Sequence, residues 1–181
     1  MEQSRPTLKT RGQIEIIHSD GRTWKSPNFV IDLASQYVAK ILEGTFTGTL
    51  YRMGIGNGGY SGLPPARTLP NNSWYVYTDM QGTSKISKPV LLKTLYTDGH
   101  VTSLTLQCVF AGTDHAYGVG DDMFSEACLI LGSGTLLTQL APIHLGAGDV
   151  LYAYRTFDEF QLPTLSATTL TVNWTIFVEN A

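Results

Sequence analysis

Thr168-Thr-Leu-Thr-Val-Asn-Trp-Thr-Ile-Phe-Val178 alternates apolar and polar residues with a single fault. Leu170, Val172, Trp174, Ile176 and Val178 share one face, and Thr169, Thr171, Asn173 and Thr175 the other, which is the period-two signature of a half-buried strand. Only Phe177 breaks it. An apolar face this wide must be covered, so the stretch is expected to be locked into a sheet. Just upstream, Asp149-Val-Leu-Tyr-Ala-Tyr-Arg-Thr-Phe157 is rich in aromatic and branched residues and reads as a second strand. Together they make the chain β-rich at its end, and the rest is organised around them.

At 181 residues the chain can bury one good core, and no stretch has a linker's composition, so one main domain is expected. Charged residues make up 15%, against roughly a quarter in an average soluble domain, so Thr, Ser, Asn and backbone carry the surface polarity. Such a surface is expected of a protein partly covered by partners. With a net charge of -3 and no Lys/Arg block no phosphate-tracking surface is indicated, and Arg5, Lys9 and Arg11 read as a solvated end rather than a nucleic-acid arm. No apolar run approaches the roughly 20 residues of a membrane span. Met1-Glu-Gln-Ser-Arg-Pro6 lacks a signal peptide's apolar region, so the chain is expected to be made and kept in the cytosol unless it leaves by another route. Cys108 and Cys128 sit in apolar strand-like runs without CxxC spacing and read as two buried free thiols.

Along the chain, Gln13 to Lys25 reads as a hairpin turning at Asp20-Gly21, with Pro27 closing it. His18 and Trp24 would face each other across it, as a packing pair or as a ligand-stacking pair. Asn28 to Gly44 is the one convincing helix, with Asp32 as N-cap, Leu33, Tyr37 and Ile41 along one stripe, Val38 and Leu42 widening it, and Gly44 as its stop. This helix is expected to lie against a sheet. Thr45 to Met53 follows as a strand. Gly54-Ile-Gly-Asn-Gly-Gly59 then has the GxGxxG spacing of a phosphate loop, but Gly62-Leu-Pro-Pro65 cannot open the helix that such a loop needs, so the glycines read as a strand leaving for a long loop to about Asn72. Ser73 to Asp79 carries Trp74, Tyr75 and Tyr77, a core cluster or a stacking patch for sugar rings.

Ile86 to Tyr96, a turn at Asp98-Gly99, and Val101 to Phe110 form the clearest hairpin, with Leu104, Leu106, Cys108 and Phe110 on the core face and Pro89 near the start. Asp114, His115, Asp121 and Asp122 have the ingredients of a cation site, but their spacing matches neither an EF-hand nor a two-His zinc helix. Nor does any Ser/His/Asp set or carboxylate pair stand out, so the chain does not read as an enzyme and no cofactor is expected. From Phe124 the pattern repeats strand, glycine turn, strand. Eight or so short strands and one helix imply a mainly β fold: an antiparallel β-sandwich over residues 28–181, one helix packed on a sheet, a long Gly/Pro loop, and residues 1–27 as an N-terminal arm.

The succession of Asn28-Phe-Val before the helix, Tyr51-Arg-Met-Gly-Ile-Gly-Asn-Gly58, a Pro-bearing loop, Phe124-Ser-Glu-Ala-Cys-Leu129, Leu151-Tyr-Ala-Tyr-Arg-Thr-Phe157 and Leu170 to Val178 resembles small β-rich virion proteins of tailed bacteriophages. These belong to the tail, neck or collar. The resemblance spans residues 28 to 179 and rests on strand patterns, with no catalytic residues to carry over. It implies a virion protein assembled in the host bacterial cytoplasm, present in several copies, that joins neck, collar, fibre or tail parts. Its expected partners are copies of itself and other virion proteins, with no membrane and no sequence-specific nucleic acid. The contact residues expected are Ile14, Ile16 and Trp24 in the N-terminal segment and Tyr60, Leu63 and Leu69 in the loop. The other reading is a carbohydrate-binding module using Trp74, Tyr75 and Tyr77.

Overall fold

The computed structural model of the chain describes residues 8–30, 32–45, 47–58, 60–61, 66–67, 80, 82, 85–117, 123–132 and 149–180. The strands are β1 (Leu8–His18), β2 (Thr23–Val30), β3 (Thr49–Gly56), β4 (Tyr60–Ser61), β5 (Ala66–Arg67), β6 (Lys85–Pro89), β7 (Leu92–Asp98), β8 (Val101–Ala111), β9 (Met123–Gly132), β10 (Val150–Gln161) and β11 (Thr169–Asn180). One helix, α1, spans Asp32–Glu43, and a 3-10 helix spans Gly112–Tyr117. Nine strands follow in the hydrogen-bonded order β6-β3-β9-β10-β2-β1-β11-β8-β7, while β4 and β5 pair by themselves. Each of these pairings is antiparallel.

The order folds into two packed layers because β2 belongs to both. Thr23 to Asn28 pair with Ile17 to Gly12 of β1, and the next two residues, Phe29 and Val30, pair with Tyr154 and Ala153 of β10. Gly12 makes the corner fit: a Cβ there would overlap the buried side chain of Asn28, the residue opposite it. From β10, Arg155 donates a hydrogen bond to Ser26 Oγ at 2.9 Å and ties the corner from the other layer. The fold is therefore the antiparallel sandwich with one helix that the alternation predicts.

β11 lies inside its layer, flanked by β1 on one side and β8 on the other. Leu170, Val172 and Trp174 are fully buried on its inner face, so the opening stretch does form a core strand. β1 is the surprise. Ile14 and Ile16 have 0% exposure and stand opposite Trp174 and Val172, so residues 8–27 are an integral part of the sandwich and not a peripheral arm. Local periodicity shows that β1 has an apolar face but not that its neighbour is the last strand of the chain.

Other boundaries move for similar reasons. β2 continues through Pro27 to Val30, because the chain is changing layers there; the helix consequently starts at Asp32 rather than at Asn28. It ends where expected, with Gly44 N–H donating to Ile41 O at 3.1 Å and Thr45 N–H to Lys40 O at 3.0 Å. Tyr37 and Ile41 pack against the core while Leu42 is exposed, and α1 lies on β10. The stretch Ile86 to Tyr96 is two strands, not one. β6 and β7 stand at opposite ends of the strand order, so Val90 and Leu91 carry the chain between layers and Pro89 closes β6 instead of opening a strand. β8 keeps its predicted inner face, with Leu106, Cys108 and Phe110 buried, and both cysteines are free and buried. Phe124 to Gly132 of β9 are all buried, since that strand is covered on both faces.

Candidate functional site

The expected contact residues scatter. Ile14 and Ile16 are core and cannot meet a partner; Trp24 is half-buried, packed against Phe157 with ring centroids 5.8 Å apart. Tyr60 lies in β4, paired with Arg67, whereas Leu63, Leu69, Trp74, Tyr75 and Tyr77 lie outside the described residues. His18 does not face Trp24. The register sets Ile16 opposite Trp24, and His18 stacks on Phe160 at 5.9 Å with Nε2 3.0 Å from Gln161 O, which makes it a packing residue between layers.

Asp114 is occupied as well. Its Oδ2 accepts from Lys88 Nζ at 2.8 Å and from Ala111 N–H at 2.7 Å, an arrangement that closes the 3-10 helix onto β6. His115 belongs to the same short helix, and Asp121 and Asp122 lie outside the described residues. Among the described residues no cluster of three or more His, Cys, Asp or Glu side chains could hold a metal. Cys108 is no candidate nucleophile: burial pushes its thiol up to about 12, so it carries no thiolate at neutral pH.

Two features that the residue pattern did not announce are more informative. The first is a carboxylate with 0% exposure, Glu126 of β9, on the face turned away from the shared core. Its Oε2 accepts from Tyr154 Oη and its Oε1 from the Gly82 N–H, both at 2.7 Å. Next to it Ser125 Oγ donates to Gly58 O at 2.6 Å. Gly58 and Gly82 face each other over the carboxylate: a Cβ on Gly58 would overlap the Glu126 carboxyl and stand 2.5 Å from Gly82 N. Glu126 thus clamps together the outgoing and returning ends of the chain between β3 and β6. That chain leaves from Asn57, not from Gly54, since Gly54 and Gly56 are paired on both sides within β3; a phosphate loop is excluded there.

The second feature is β7. All seven of its residues are exposed, and among the described residues it pairs with β8 alone. Leu91 is 73% exposed, Leu92 52%, Leu95 69% and Tyr96 64%, which gathers four of the large exposed hydrophobics into six consecutive positions. Leu95 stands opposite Leu104 on the core side of the sheet, and Leu92 and Tyr96 stand on the outer side. An open strand edge offers a row of backbone donors and acceptors, and apolar side chains on both faces add area to whatever pairs with it. One signal was legible: Leu91-Leu92 breaks the alternation that a single half-buried strand would keep. No described helix is long and apolar enough to cross a membrane. Comparison with protein-family models, with curated proteins and with solved structures gives no match to the chain.

Proposed function

We propose that the chain is a structural protein of a tailed-bacteriophage particle, which works by adhesion and joins neck, collar, fibre or tail parts through β-sheet surfaces. The open, apolar edge of β7 supports adhesion: it is a surface for strand pairing on a rigid two-layer body. The order of strand motifs described for the sequence supports the phage particle. Sparse surface charge agrees with both, because a subunit held by neighbours leaves less of its surface to water. Quantitative mass spectrometry of washed particles, produced from the genome that encodes this chain, tests the reading. Several copies per particle are expected, and particles that lack the chain would overturn it.

A further inference from the structure

The two strands that end the nine-strand order are finished differently. β6 has five residues, ends in Pro89, and turns the Lys88 ammonium onto Val109 O and Asp114. Short length, proline and lysine are the devices that blunt an edge against pairing. β7 has seven residues, no proline, a single lysine (Lys93), and apolar side chains on both faces. We infer that β7 pairs antiparallel with β7 of a second copy of this chain, so that two sandwiches share one continuous sheet. The inference deepens the adhesion reading and names its first partner.

A second copy is favoured by closure. A lone strand laid on β7 becomes a new open edge, whereas the same strand from a second copy closes both edges at once and needs no partner but the chain itself. The sequence of β7 suits that symmetry. A two-fold axis perpendicular to the sheet keeps every side chain on its own face, so each residue meets itself or a residue an even number of positions away. Centred on Leu95, this register aligns the whole strand: Leu95 meets Leu95 of the second copy, Thr94 meets Tyr96, Lys93 meets Thr97 and Leu92 meets Asp98. Apolar groups then meet at the centre and no like charges are opposed. Centring on Lys93 would oppose two ammonium groups, and centring on Asp98 two carboxylates. With one cation and one anion on the strand, the two edges approach with no net charge. The shared edge is about 24 Å long at about 3.4 Å per residue, a small interface that fits a dimer of micromolar affinity.

Because Leu95 faces itself, one charge there is doubled in the dimer, and its exposure lets the fold accept it. Analytical ultracentrifugation of the purified full chain should show a concentration-dependent dimer. Leu95→Lys and Leu95→Glu should each weaken it at least about tenfold with unchanged thermal melting, while an equimolar mixture of the two should restore it as a heterodimer. A wild-type chain that stays monomeric to about 1 mM overturns the inference, since even weak specific contacts register there. So does a pair of variants that dimerise as well as wild type. A monomer that is nevertheless found in washed particles would reject the β7 pairing and leave the adhesion reading standing, while a dimer absent from particles would do the reverse.

Discussion

Trp174 shows how a single side chain carries the sandwich. It is fully buried in the middle of β11, and its indole Nε1 has no hydrogen-bond partner among the described residues. Trp174→Ala should cost about 3–5 kcal/mol through the void it leaves. Trp174→Phe should cost only about 1–2 kcal/mol, because most of the ring volume stays and an unpaired N–H disappears. Urea unfolding of the two variants checks this; equal losses would mean that ring volume is not what matters there. Asp20, in the β1–β2 turn, gives a pH signature. The Arg22 backbone N–H, followed by contacts with His18 and the Arg22 side chain, lowers its pKa from the ordinary 3.8 to about 2. A depressed pKa means that the turn gains stability from Asp20 above about pH 4 and loses it as pH falls through about 2. A carbon-detected NMR titration of Asp20 should therefore centre near 2, and a midpoint at the ordinary value would contradict the geometry.

At the level of elements, strands were legible and their neighbours were not. Residues 170–178 state their own inner face, and so do Leu106, Cys108 and Phe110, because burial on one side imposes a period of two on the sequence itself. What the period cannot state is a change of layer. Pro27 and Pro89 both sit beside such a change: β2 runs on through Pro27 instead of closing there, and β6 stops at Pro89 instead of starting there. The base of the chain between β3 and β6 was hidden for a different cause, since Gly58, Gly82 and Glu126 meet only in three dimensions. Gly58→Ala tests that base. The new methyl collides with a buried carboxyl and with Gly82 backbone, so the two ends must part. Limited proteolysis should then cut within residues 57–84 at least about tenfold faster than in wild type, while far-ultraviolet circular dichroism stays the same. Equal cleavage rates would show that the clamp does not hold this segment.

On the scale of the whole molecule, the first described strand lies beside the last, and Glu15 accepts a hydrogen bond from Asn173, 158 positions away. No local signal encodes such a pairing, which is why residues 1–27 read as an arm in the sequence. The same topology sets a speed. Non-local strand pairing must wait for the chain to close long loops, so stopped-flow refolding should be slow, on the order of tens of milliseconds to seconds. Microsecond refolding would contradict this topology. One further property follows from β2. In many sandwiches the layers are joined only by side-chain packing and by loops between strands, and a pull on one layer can slide it over the other. Here an unbroken backbone passes from one layer to the other at Asn28 and Phe29, with Arg155 bracing the bend. Tension applied to either sheet is thus carried covalently into its companion. The body resists shear as one piece, and the first thing to yield under load should be its outermost hairpin, β7 and β8.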